Sequence, residues 1–180
     1  IAVENYFIVQ AYVSNDRTDY NTLIPVLEKH KNSFGDILEE VTADSGYCSE
    51  KNLLYLKEHK ISSYIKLQDH EKRKTRAYRE DIGKYYNMKT QMFEDELYYV
   101  CHDGRELHHI RTETKEQPGY TQTFEVYGCA DCSGCIYKAK CLYKYDAEKD
   151  AEKNKIMKIN EQWEVLKEES HANIQSEKGI

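Results

Sequence analysis

Three groups of side chains have the types and spacing that chemistry needs. The first is Asp44, in Val41-Thr42-Ala43-Asp44-Ser45-Gly46-Tyr47. A carboxylate at the end of a central parallel strand points into the crevice where α/β sheets place ligands, and it supplies the hard, anionic oxygen that Mg²⁺ requires. The same placement suits a plain turn former, because aspartate readily bonds its own following backbone. Gly46 is expected to let the chain turn sharply just beyond it. The second group is Cys129, Cys132, Cys135 and Cys141, spaced C-x2-C-x2-C-x5-C. Thiolates two residues apart share a metal through a tight turn, and four of them suit tetrahedral zinc. An iron–sulfur cluster competes, although the last step departs from the ferredoxin spacing and no proline follows Cys141. Cys101, beside His102, replaces one of the four if its hairpin folds back, and four thiols without metal are the plain alternative. A metal there would be structural, since no open ligand position is implied. The third group is Lys72, Arg73, Lys74, Arg76 and Arg79, with Tyr78 interleaved, which suits a phosphate backbone or simply a solvated surface.

Other reactive types read as structural. His108 and His109 are adjacent, so on a strand they face opposite sides and cannot chelate one ion. Trp163 falls on an apolar stripe and reads as core, and Cys48 has no catalytic base near it in sequence.

Composition bounds what these groups can belong to. The chain has 180 residues, 39% hydrophobic and 32% charged, enough for one domain with a smaller insertion. A net charge of −6 excludes a protein that coats nucleic acid with its whole surface, so DNA contact needs a local basic patch. Lys66 to Arg79 supplies one, with six basic residues against two acidic. No run of 18 apolar residues exists, which excludes a membrane-spanning helix of that length. Clustered cysteines favour thiolates on a metal over disulfides, and hence a reducing, cytoplasmic setting. Both ends read as cut, so the chain is expected to be an internal piece of a longer protein.

These groups need elements to hold them. Ile1–Val3 and Phe7–Val13 predict a hairpin across Glu4-Asn5. Asp19 caps a helix to about Phe34, which Pro25 should bend. Glu40–Asp44 reads as a strand, Ser49 caps a helix to about His59, and Ser62–Leu67 is another strand. Strands joined by single helices build a βαβ unit with a parallel pair. Glu96–Val100 and Glu106–Ile110 flank an Asp103-Gly104 turn, and Thr121–Tyr127 is a further strand. From about Ala147, Ile156, Ile159, Trp163 and Leu166 recur at helical spacing.

The run Thr42-Ala43-Asp44-Ser45-Gly46-Tyr47-Cys48-Ser49-Glu50-Lys51-Asn52 resembles the second-aspartate motif of DDE transposases from bacterial insertion sequences, "AD-x-GY-x-S-x-x-N". Tyr99 to Leu107, followed by the cysteine cluster, resembles the cysteine-bearing insertion of one group of these enzymes. The resemblance implies an α/β protein: a partial ribonuclease-H-like core over 1–68, a β-rich insertion over 69–145, and a helix over 146–180 that returns to the core. It implies metal-dependent DNA cleavage and strand transfer, with two Mg²⁺ ions held by three carboxylates, of which only Asp44 is carried over. The first aspartate is expected on a strand before Ile1 and the glutamate on a helix after Ile180, so the chain alone is expected to be inactive. Glu164, Glu168, Glu169 and Glu177 lack the family's arginine-to-glutamate spacing. DNA is the implied partner, with a homo-oligomer in the full-length protein and no membrane. A non-catalytic, metal-stabilised nucleic-acid-binding module and a ribonuclease-H-like nuclease remain as alternatives.

Overall fold

The computed structural model describes residues 1–35 and 38–176 as a mixed α/β chain that divides into two compact units. In chain order its elements are β1 (Ala2–Glu4), β2 (Phe7–Gln10), α1 (Leu23–Phe34), β3 (Glu40–Ala43), α2 (Glu50–Glu58) and β4 (Ser62–Ile65). Then come α3 (His70–Arg73), α4 (Arg76–Arg79), β5 (Lys89–Phe93), β6 (Glu96–Val100), β7 (Glu106–Gln117) and β8 (Tyr120–Cys129). The last three are α5 (Lys138–Cys141), β9 (Ile156–Ile159) and α6 (Glu161–Gln175).

The first unit comprises residues 1–70 and 163–180. β1 and β2 form the expected hairpin, with the turn one residue later than its sequence suggests: Asn5 and Tyr6 both take positive φ, the conformation that matches strand twist in a two-residue turn. β3 and β4 pair in parallel, Glu40 opposite Ser62 through Ala43 opposite Ile65, with α2 between them in sequence. Ser49 caps α2 as expected, its Oγ accepting the Asn52 N–H at 3.3 Å. Helix α1 begins later than expected: Asp19 opens a short 3₁₀ turn, and Thr22 precedes the helix. Pro25 therefore lies in the first turn, where backbone N–H groups lack intrahelical partners, and no bend is required of it. Leu23, Leu27, Cys48, Leu53, Leu56, Ile61, Ile65, Leu67 and Leu166 make the core, with Trp163 packed against it. Helix α6 is fastened by Ser170 Oγ donating to the Ile65 carbonyl (2.9 Å) and Asn173 donating to the Ser63 carbonyl (3.1 Å).

The second unit, residues 71–162, is built on a five-stranded antiparallel sheet in the order β5-β6-β7-β8-β9. Its core is Tyr99, Leu107, Tyr127, Cys129, Cys132, Met157 and Ile159. Here one expectation fails. The helix read from about Ala147 does not exist over Ile156–Ile159, which is strand β9, paired with β8 from Ile156 opposite Gly128 to Ile159 opposite Glu125. Ile156 and Ile159 lie three apart and so mimic a helical stripe, but the buried side chains are Met157 and Ile159, which alternate as on a strand. Helix starts only at Glu161. Among the described residues no helix is long and apolar enough to cross a membrane.

Candidate functional site

Asp44 stands immediately beyond β3 in extended conformation, exposed, and its carboxylate accepts the Ser45 N–H at 2.6 Å. That bond caps the 3₁₀ turn Ser45–Tyr47. One oxygen is thereby held by local geometry while the group faces solvent. Asp44 lines a groove of about 770 Å³ whose walls include β1, β3 and α1. Among the described residues β1 pairs only with β2 and β3 only with β4, so both strands bordering the groove have one edge without a strand partner. Asp16 and Asp19 line the same groove; sequence reasoning gave Asp19 only a capping role and Asp16 none, because the segment around them is irregular. Gly46 does not serve as expected. It has no positive φ, and a Cβ there would meet Asp19 Oδ2 at 3.4 Å, an ordinary contact, so neither backbone nor space demands glycine.

Asn52, the last residue of the motif, is what fixes the turn. It is fully buried, and its Nδ2 donates to the Tyr47 carbonyl (2.8 Å) and the Tyr20 carbonyl (3.0 Å), tying α2 to the turn after Asp44 and to the chain before α1. Asn52→Ala removes the donor from two carbonyls, which at roughly 1–3 kcal/mol for each unsatisfied buried group is expected to destabilise the first unit by about 2–6 kcal/mol. A urea unfolding curve of the variant checks this; an unchanged midpoint would show that water satisfies both carbonyls.

The cysteines lie in the second unit. Cys129 ends β8, and Cys101 follows β6; the register Tyr99–Leu107–Cys129 across β6, β7 and β8 brings both to one end of the sheet. Cys101, Cys129, Cys132, Cys135 and Cys141 all line one cavity of about 20 Å³, together with Arg105, Lys138 and Lys155. Burial and the neighbouring Cys132 push the Cys129 thiol up to about 11, and burial raises the Cys135 and Cys141 thiols as well. The three cations stitch the surrounding loops. Arg105 donates to the carbonyls of Asp131 (2.7 Å) and Ser133 (2.9 Å), Lys155 to those of Gly83 (2.6 Å) and Cys141 (3.0 Å), and Lys138 to that of Ala151. The Gly83 backbone lies so close that a Cβ would come within 2.6 Å of the Cys141 oxygen. Among the described residues no three histidine, cysteine or acidic side chains already stand as a metal centre.

The basic run occupies α3, α4 and the residues between them. Lys72, Lys74, Arg76 and Arg79 are exposed and Arg73 is half-buried. Lys74 pairs with Glu71 at 3.3 Å and Arg76 with Glu80 at 2.8 Å. Tyr78 stacks on Tyr86 with ring centroids 4.5 Å apart.

The remaining candidates are engaged elsewhere. His108 meets Glu106 and His109 meets Glu125, so the two rings do not share a site. Glu164 pairs with Lys167 and Glu169 with Lys57, while Glu177 lies outside the described residues.

A family model described as "Transposase DDE domain" matches residues 100–180, from the end of β6 through the cysteine-bearing loops to α6 and beyond, and leaves Asp44 outside the match. No curated protein and no solved structure matches the chain. Over residues 100–180, somewhat less than half of its length, the chain is similar to the transposase DDE domain family, the family that its motif blocks resemble.

Proposed function

We propose that the chain is part of a transposase that cuts DNA and transfers strands of an insertion sequence, with Asp44 as one metal-binding carboxylate of a ribonuclease-H-like core. The observation that carries this reading is the exposed Asp44 carboxylate at the carboxyl end of a parallel strand, opening on a groove bordered by two strand edges. An extended segment laid along the outer edge of β3 would bring a second acid beside Asp44. Magnesium held there supplies charge stabilisation for the attacking and leaving oxygens of an in-line displacement. The part of this chain is to hold one carboxylate rigidly, through the Ser45 cap and the Asn52 clamp behind it.

The basic run is the DNA-contacting surface in this reading, and the clustered cysteines hold a structural zinc ion. The chain alone, which brings only Asp44 of the three carboxylates, is inactive. The test is a strand-transfer assay with the complete reading frame that encodes the chain, run beside the isolated 180 residues. Mg²⁺-dependent joining is expected from the first and none from the second. Strand transfer by the isolated chain would overturn the assignment of the missing carboxylates.

A further inference from the structure

We propose that the zinc ligands are Cys101, Cys132, Cys135 and Cys141, so that a cysteine from the β6–β7 turn completes the site and Cys129 stays outside it. This rests on the reading of the cluster as a zinc site and changes its ligand set.

Distance in sequence separates Cys101 from the others, but the fold does not: all five cysteines line the same small cavity. Its size is informative. About 10–15 Å³ of such space is needed to hold one water, so a cavity of about 20 Å³ takes a single ion and has no room for an iron–sulfur cube. A tetrahedral ion takes four thiolates, and one of the five must be left out.

The surroundings of each sulfur identify that one. Cys141 has Cys101, Cys132 and Cys135 among its electrostatic neighbours, and Cys129 lies against Cys132 and Cys101. The Cys132 sulfur accepts the Lys155 N–H at 3.3 Å, and Cys135 has the Tyr137 backbone N–H against its sulfur. Such N–H groups stabilise metal-bound thiolates from behind. Lys155 lies beside Cys141 and favours its thiolate. Cys129 is placed differently. Although the Asp131 backbone N–H also leans on its sulfur, its S–H donates to the Asp131 carbonyl at 3.2 Å. As a thiolate it would lose that proton and face a carbonyl oxygen, which is repulsive.

Charge agrees with the assignment. Zn²⁺ with four thiolates is a dianion, and Arg105, Lys138 and Lys155 line the cavity to balance it. Gly134, with φ of +64°, turns the chain between Cys132 and Cys135. Ligation then requires the thiols to rotate about χ1 toward one point. The ion would clasp the β6–β7 turn to the loop of 132–141, joining segments that already meet through Arg105 and through the His102 ring on Tyr137.

The test is metal analysis of the full 180-residue chain, purified anaerobically without chelators, as wild type and as the five single Cys→Ser variants. One zinc per chain is expected in the wild type and in Cys129→Ser. Cys101→Ser, Cys132→Ser, Cys135→Ser and Cys141→Ser should each weaken zinc binding at least about a hundred-fold, measured by competition with a chromogenic chelator, since loss of an outer-shell partner alone costs 10–100-fold. Cobalt substitution in the wild type should give the visible spectrum of a tetrahedral tetrathiolate. Because a serine variant can fail through misfolding, Cys101→His supplies a second reading: imidazole also ligates zinc, so it should recover much of the affinity that serine loses. Zinc retained by Cys101→Ser but lost from Cys129→Ser would overturn the ligand set and leave the zinc site standing. Folded wild type without metal, or with iron and inorganic sulfide, would overturn the zinc site itself. None of these readouts uses DNA, so the transposase reading stands or falls separately.

Discussion

Asp44→Asn in the full-length protein is expected to lower Mg²⁺-dependent DNA cleavage and strand transfer by more than about a hundred-fold, since even outer-shell partners of a metal ligand are worth 10–100-fold. The substitution isolates charge from shape. Asparagine has nearly the size of aspartate and is an equally good cap, so it can still accept the Ser45 N–H that Asp44 holds at 2.6 Å. The turn Ser45–Tyr47 therefore survives, and Asn52 still clamps it from behind through the Tyr47 carbonyl. What is lost is the anionic oxygen that a hard divalent cation requires. Circular dichroism and thermal unfolding should be unchanged, and DNA affinity measured without divalent metal should match the parent. Activity within a few-fold of the parent would remove Asp44 from the catalytic set and return it to the role of a turn former.

How far the sequence reveals this arrangement depends on the range over which each feature is decided. The hairpin at the start, the Ser49 cap and the parallel pair β3–β4 are legible because local chemistry decides them: an Asn at a positive-φ turn position, a serine three residues before a helical N–H, apolar strands separated by a helix. The strand end at Asp44 is legible for the same reason. β9 is not, because Ile156 and Ile159 satisfy a helical spacing, and only the free edge of β8 decides in favour of strand. Nor can sequence rank the five cysteines. Cys101 reaches the others through cross-strand register over β6, β7 and β8, which no spacing rule encodes. Asn52 belongs to the same class: as a motif letter it has no evident task, while in three dimensions it bridges two segments 27 residues apart, Tyr20 and Tyr47.

Replacing Lys72, Arg73, Lys74, Arg76 and Arg79 together by glutamate is expected to reduce DNA binding by the full-length protein at least about a hundred-fold at low salt, through loss of phosphate contacts. The acids nearby do not cancel this. Glu71 and Glu80 engage Lys74 and Arg76, but all four side chains are largely exposed, and such surface pairs are worth only about 0–1 kcal/mol. A phosphate backbone that releases condensed counterions outcompetes them. Arg73, half-buried, is the weakest contributor, which leaves four to five usable charges. At about 0.9 per contact, the slope of log K against log salt should therefore flatten by roughly 4 in the variant. Raising salt from 50 to 200 mM should likewise weaken the parent by roughly a hundred-fold or more while leaving the variant much less affected. Because phosphates carry no sequence information, the loss should be similar for insertion-end DNA and unrelated DNA, and the ratio between them should be preserved. An unchanged salt slope would show the run to be ordinary solvated surface. A loss confined to insertion ends would instead place these side chains against base edges.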